Sequence, residues 1–132
     1  MPTERDEKID KPSNKQNVVL IVEDDESNYL YLKELMNAIN AESVHVIDGE
    51  GAIEACKEKD FDLILMDLKL PGLDGYQAST EIKKLNPKIP IIAQTAYALA
   101  GDDLKAKKAG CDEYISKPIQ KNKLFDLIKK YI

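Results

Sequence analysis

Phe61-Asp62-Leu63-Ile64-Leu65-Met66-Asp67-Leu68-Lys69-Leu70-Pro71-Gly72-Leu73-Asp74-Gly75 is the stretch that decides the reading of this chain. An apolar run, Leu63 to Met66, stops at a carboxylate, and a Pro-Gly turn and an Asp-Gly turn follow. A short apolar run bounded by turn residues reads as a buried strand. Such a strand is covered on both faces when helices flank a parallel sheet. Asp67 then lies at its carboxyl end, the edge at which open α/β sheets bind ligands. Taken alone, Asp67 reads equally well as a polar residue that merely ends a strand.

The same grammar recurs. Val18-Val19-Leu20-Ile21-Val22 stops at Glu23-Asp24-Asp25, Ile91-Ile92-Ala93 at Gln94-Thr95, and Tyr114-Ile115-Ser116 at Lys117-Pro118. Parallel strands point one way, so all four polar stops are expected on one edge of a sheet. That edge would gather several carboxylates, a hydroxyl and an ammonium.

Between these runs the pattern changes to a helical period. Tyr29, Leu32, Leu35, Met36 and Ile39 mark a helix that Ser27 or Asn28 is expected to cap. Ser43-Val44-His45-Val46-Ile47 alternates and is predicted as an exposed edge strand holding a structural His45. Asp48-Gly49-Glu50-Gly51 leads into a short helix with Ala52, Ile53, Ala55 and Cys56 toward the sheet. Residues 76–85 form a helix with Ile82 and Leu85 as its apolar stripe. Strand four covers residues 91–94, residues 95–100 are a loop and early helix, and residues 102–109 continue the helix. Gly110 is expected just past its end. Strand five covers residues 112–116, and a last helix covers residues 120–131. Five strand–helix alternations predict a doubly wound parallel α/β sheet with right-handed crossovers. Composition does not supply the strand order.

A chain of 132 residues suffices for one core. Residues 1–17 are polar and charged, with too little apolar surface to offset ordering, and are read as a tail or linker before a domain over residues 18–132. A domain that starts after such a segment is expected to come from a longer protein. A net charge of −5 argues against direct nucleic-acid binding and against an anionic membrane surface. No apolar run is long enough to span a bilayer, and no signal-peptide pattern opens the chain. Cys56 and Cys111 lack metal-ligand spacing and read as reduced thiols of a cytoplasmic protein.

The expected edge constellation has a chemistry. Glu23, Asp24 and Asp67 would repel one another when empty, and hard divalent cations take oxygen ligands, so the cluster reads as a Mg²⁺ site. A solvated acidic loop is the alternative. Lys117 supplies a compact positive charge and Thr95 a hydroxyl, both suited to a phosphoryl group. Such a group is transferred mainly by positioning and charge neutralisation. Asp67 is the one member able to act as nucleophile. Gly49 and Gly51 are too close for a Walker loop, and no G-x-G-x-x-G is present, so nucleotide binding has little support.

On Leu20 to Asp25, Leu65 to Gly75, Ile92 to Ala96 and Tyr114 to Pro118, taken in that order, the chain resembles the receiver (response-regulator) domains of two-component signalling. The resemblance covers residues 18–131. Asn28 and the wording Ile91-Ile92-Ala93-Gln94-Thr95-Ala96-Tyr97-Ala98 are most similar to receivers of hybrid sensor histidine kinases. The resemblance implies a flavodoxin-like (CheY-like) five-stranded sheet of order 2-1-3-4-5 with helices on both faces, the order known for the family's chemotaxis member. It implies that Asp67 takes a phosphoryl group from the phosphohistidine of a histidine kinase or histidine phosphotransfer domain. It implies that Asp24, Asp67 and the backbone carbonyl of Lys69 hold Mg²⁺, with Glu23 acting through a metal-bound water. Thr95 becomes the switch hydroxyl, Lys117 the contact to the acyl phosphate, and Tyr114 the aromatic that moves inward with Thr95. A cis bond before Pro118 is implied too. Glu23 stands where Asp is usual, a common variant.

Lys69 and Tyr97 occupy the positions thought to tune loss of the phosphoryl group. Neither would orient an attacking water, so self-dephosphorylation is expected to be slow. The domain is then no stand-alone enzyme: it assists its own phosphorylation and turns over no independent substrate. No DNA-binding module follows Tyr131, so output is expected from the face of helix four, strand five and helix five, where relatives meet partners or form homodimers, or from further domains. Two other readings compete. A Mg²⁺-dependent phosphohydrolase with an Asp nucleophile would want a second Asp where Lys69 stands. A pseudo-receiver acting as a binding module is opposed by the intact set Asp24, Asp67, Thr95 and Lys117.

Overall fold

The structure is a computed structural model and describes residues 16–96 and 101–132. The expectations for residues 1–15, for Tyr97 and for the loop at residues 98–100 lie outside the described residues. Among the described residues ten elements alternate strictly: β1 Val18–Val22, α1 Glu26–Ala38, β2 Glu42–Val46, α2 Gly49–Glu58, β3 Leu63–Asp67, α3 Gly75–Leu85, β4 Ile91–Thr95, α4 Asp102–Lys108, β5 Glu113–Ser116 and α5 Lys121–Ile128. The strands form one sheet of order β2-β1-β3-β4-β5, and all four pairings are parallel. This is the flavodoxin-like order that the resemblance implied.

The alternation of strand side chains divides the core in two. Leu20, Val22, Ile64, Met66, Ile91 and Ala93 point to a face covered by Ala52 of α2, Ala78 and Ile82 of α3, and Ala106 of α4. Val19, Ile21, Leu63, Leu65, Ile92 and Ile115 point to the other face, covered by Leu32, Leu35 and Met36 of α1 and Leu124 and Ile128 of α5. Each fully buried aliphatic side chain contributes about 1.5–3 kcal/mol. Strands β1, β3 and β4 carry this load because they are central, which explains why their apolar runs are unbroken. β2 lies at an edge and is half-buried, as its alternating pattern indicated.

The starts of α1, α2 and α3 are set by short acidic side chains. Asp25 caps α1, accepting from Ser27 N, so Ser27 and Asn28 lie inside the first turn and neither is the cap. The acidic loop thus hides a cap, and this frees the Asn28 side chain for another task. Asp48 caps α2 through Gly51 N at 2.7 Å. Asp74 and Gln77 form a reciprocal capping box on α3. Gly110 follows α4 with φ 103°, in the left-handed region expected of a residue past a helix end.

Three other expectations are corrected. Leu85 is 48% exposed, and α3 buries Ala78, Ser79 and Ile82 instead, because the helix sits close to the sheet through small residues. Ile47 lies beyond β2 and is exposed. Ile39 is exposed at the C-cap of α1, where the chain turns through Asn40 at φ 58°.

Candidate functional site

Strand register puts the polar ends together. β3 and β4 pair Asp67 with Gln94, and β4 and β5 pair Thr95 with Ser116. Lys117 N donates to Thr95 O at 2.7 Å, which fixes the residue after β5 beside the end of β4. On the other side β1 runs beside β3 up to Val22, opposite Met66, and delivers Glu23 and Asp24 to the same edge.

There the carboxylates converge. One oxygen each from Glu23, Asp24 and Asp67 lie within 4.8 Å of one another. Glu23 is fully buried and Asp67 is 3% exposed, whereas Asp24 faces solvent. A cleft of about 470 Å³ opens over them, walled by Asp25, Lys69, Leu70, Pro71, Ala96 and Lys117. Two buried carboxylates and one exposed one, all oxygen donors facing a common point, suit a hard divalent cation. The donor set therefore fits the metal that the sequence suggested.

Lys117 is the internal counter-ion. Its Nζ lies 3.2 Å from Glu23 Oε1 and 3.2 Å from Asp67 Oδ2. Burial works to lower the Lys117 ammonium, but Asp67 and Glu23 together outweigh it and hold it above its ordinary value. Asp67 is pushed up to about 7, chiefly by burial and then by its hydrogen bond with Glu23. The Lys69 N–H, which donates to Asp67 Oδ1 at 3.0 Å, pulls the other way but does not prevail. The Lys117 ammonium thus does not bring Asp67 back to the ordinary carboxylate range.

The turn after Asp67 is held against the strand end by backbone. Gly75 N donates to Leu68 O at 3.2 Å. A Cβ at Gly75 would stand 2.2 Å from Asp67 O and 2.6 Å from Leu68 Cα, so only glycine allows this approach. Thr95 is buried at the end of β4. The hydroxyl of Tyr114 is buried near it, without a well-formed hydrogen bond among the described residues. Burial, with Asp102, pushes this phenol up, and the Thr95 side chain opposes it. The bond between Lys117 and Pro118 is cis.

The candidate site residues are thus placed. Glu23, Asp24, Asp67, Thr95 and Lys117 share one edge, Lys69 rims the cleft, and Tyr114 stands one strand away beside Thr95. Four residues that sequence reasoning gave no part in the site also reach it. Asn28 Nδ2 donates to Glu23 Oε1 and lies 3.4 Å from Gln94 Oε1. Gln94, expected as the last residue of strand four, is 1% exposed within β4, which runs one residue further to Thr95. His45 Nε2 lies 2.7 Å from the Glu23 carbonyl and its ring stacks on Tyr29 at 3.6 Å, the structural role expected for it. Tyr31 Oη donates to Ile119 O at 2.8 Å, tying α1 to the turn that carries Lys117. The available signal was Asn28 one turn into a helix behind an acidic loop, and a glutamine interrupting an apolar strand.

Comparison with known proteins agrees with this geometry. The response regulator receiver domain pattern matches residues 19–129. The chain is 37% identical over 116 residues to the polar-differentiation response regulator DivK of Brucella anthropi, covering 86% of this chain and 94% of DivK. It is 36% identical over 118 residues to the sensor protein GacS of Pseudomonas syringae pv. syringae, covering 86% of this chain but spanning only 13% of GacS. The receiver domain of the sensor histidine kinase PA1611 of Pseudomonas aeruginosa superposes with a TM-score of 0.82 at 33% identity, covering 89% of this chain and 98% of that domain. That structure holds a magnesium ion in its active site cleft. With the 2-1-3-4-5 sheet and the acidic cluster at its carboxyl edge, these matches show that the chain belongs to the response regulator receiver family, related to the receivers of hybrid sensor kinases, and accepts a phosphoryl group for signalling rather than acting as a stand-alone enzyme.

Proposed function

We propose that Asp67 is the phosphoacceptor of this domain and that Mg²⁺ bound by Asp24, Asp67 and the Lys69 carbonyl, with Glu23 behind a water, supports the transfer. The observation that carries this is the position of the Asp67 carboxylate: buried at a strand end, in the acidic cluster, with Lys117 Nζ at 3.2 Å. A bound cation would supply charge neutralisation for the incoming phosphoryl oxygens. The chain's own residues do the rest. An Asp67 oxygen attacks phosphorus as the P–N bond of a phosphohistidine breaks, and the leaving imidazole nitrogen takes up a proton. Lys117 turns from its carboxylates to the phosphoryl oxygens, and Thr95 donates its hydroxyl to one of them. Tyr114, its hydroxyl already buried, fills the space beside Thr95.

The donor in this reading is a histidine kinase or histidine phosphotransfer domain, in keeping with the likeness to GacS and PA1611. We read residues 18–132 as the receiver unit and residues 1–17 as a polar tail or linker outside it. No described helix is long and apolar enough to cross a membrane. We place the domain in the cytoplasm, where Cys56 and Cys111 would stay reduced, as both are free here. Pairing of two copies through α4, β5 and α5 is supported by Leu104, an apolar residue 56% exposed on α4.

The test is intact mass after incubation with Mg²⁺ and acetyl phosphate. One phosphoryl adduct that requires Mg²⁺ and is lost in Asp67→Ala is the expected result. An adduct that survives in Asp67→Ala would refute the assignment. Absence of both adduct and Mg²⁺ affinity would favour a binding module that takes no phosphate.

A further inference from the structure

Glu23 has no exposed surface, and its carboxylate is divided between two demands. Oε1 receives both Lys117 Nζ at 3.2 Å and the Asn28 amide, and Oε2 receives Asp25 N at 3.2 Å. The Asn28 amide is itself oriented by Gln94 Oε1 at 3.4 Å. Gln94 sits opposite Asp67 in the β3–β4 pairing and alternates with Ile92 onto the face that α1 and α5 cover. Its Nε2 is buried without a hydrogen-bond partner among the described residues. A buried unpaired amide donor works against the fold, and leucine at this position would not. The glutamine is therefore poorly explained by packing, while its oxygen is well placed for Asn28.

Glutamate has one more rotatable bond than the aspartate usual at this position. Without Asn28, Oε1 keeps Lys117 but loses the amide that fixes the carboxylate from the α1 side, and the longer side chain is left to choose among rotamers. We propose that Asn28 and Gln94 are positioning residues: Gln94 orients the Asn28 amide, and Asn28 fixes the Glu23 carboxylate in the orientation that faces the cation site. The proposal rests on the Mg²⁺ reading given above. Residues that orient a metal's ligands change its affinity by about 10- to 100-fold when removed. Because Glu23 is expected to act through water, the lower end applies here.

The experiment is Mg²⁺ titration by calorimetry, with urea unfolding in parallel, on the whole chain. The variants are Asn28→Ala, Gln94→Leu, Glu23→Asp, and Asn28→Ala combined with Glu23→Asp. Asn28→Ala and Gln94→Leu are each expected to weaken Mg²⁺ about 10-fold. Gln94→Leu should leave the metal-free urea midpoint unchanged or raised. Glu23→Asp, one methylene shorter, no longer reaches Asn28, so whatever affinity that variant has should change by less than about twofold when Asn28→Ala is added to it. Variants that bind Mg²⁺ as the parent does would overturn the proposal. So would a 10-fold loss from Asn28→Ala that persists beside Glu23→Asp, which would mark a merely structural effect. A parent chain with no Mg²⁺ affinity would overturn the cation reading itself, and the positioning pair with it.

Discussion

Replacing Asp67 by asparagine tests the electrostatics of the edge directly, because the change removes one charge and keeps the shape. In the metal-free protein, burial and Glu23 hold the Asp67 carboxyl up at about 7, against an ordinary value of 3.8. The folded state therefore keeps a proton that the unfolded chain releases. Below pH ~4 both states are protonated and the site carries no penalty. As pH rises through the window from about 4 to about 7, the unfolded chain gains on the folded one by up to ~1.4 kcal/mol per pH unit. Across that whole window the loss sums to about 4 kcal/mol, a ceiling because Glu23 shares the same proton. Asp67→Asn does not titrate and avoids the loss. Urea unfolding in EDTA between pH 4.5 and 8.5 should show the variant gaining on the wild type as pH rises and levelling off above pH ~7. Lost hydrogen bonds add a constant offset and leave this slope intact. A difference between the two proteins that is flat across that range would refute the reasoning.

Four further outcomes follow from particular contacts. Lys117→Met leaves Glu23 and Asp67 buried without their ammonium; a loss of about 2–4 kcal/mol in urea unfolding at pH 8 is expected, below the fully buried range because Lys117 is partly exposed. Gly75→Ala drives a Cβ into the Asp67 carbonyl, which backbone cannot yield cheaply, and should cost about 1–3 kcal/mol, read by thermal unfolding. Tyr31→Phe removes the bond to Ile119 O and should cost about 1 kcal/mol, with faster amide exchange in the turn after Lys117. The Cys56 thiol is pushed up to about 11 by burial, so alkylation at pH 8 should be ~100-fold slower than for a thiol at 9.0. The folded state then loses stability as pH climbs from about 9 to about 11, since the unfolded thiol ionises first.

The sheet is readable because its physics is written locally. A central strand in a two-sided sheet must be apolar throughout, so β1, β3 and β4 announce themselves, and the first polar residue after each is forced to the common edge. The half-buried β2 can be told apart by its alternation. The same rule is less complete at Gln94, where strand four is expected to end: the ladder to β5 carries the strand one residue further, through Thr95. The glutamine is buried there and meets Asn28, from a different element. No local pattern carries that information. Asp25 escapes notice as the α1 cap for a related reason: in a run of acids, nothing in the sequence separates the carboxylate that closes a helix from those that face the cleft. Leu85 is misplaced because apolar spacing does not tell which turn of a helix the sheet reaches. The strand order came from resemblance and could not have come from composition.

The bond from Lys117 N to Thr95 O, 2.7 Å long, joins two residues that grip a phosphoryl group in the proposed mechanism. One belongs to the end of β4 and the other to the residue after β5, yet no slack lies between them. The link runs from backbone to backbone, so it holds the two strand ends at one spacing while the Thr95 hydroxyl and the Lys117 ammonium turn about their own side-chain bonds. The two strand ends thus keep one spacing whichever oxygen the side chains reach for, and the geometry of the grip is set by the sheet before any phosphoryl group arrives.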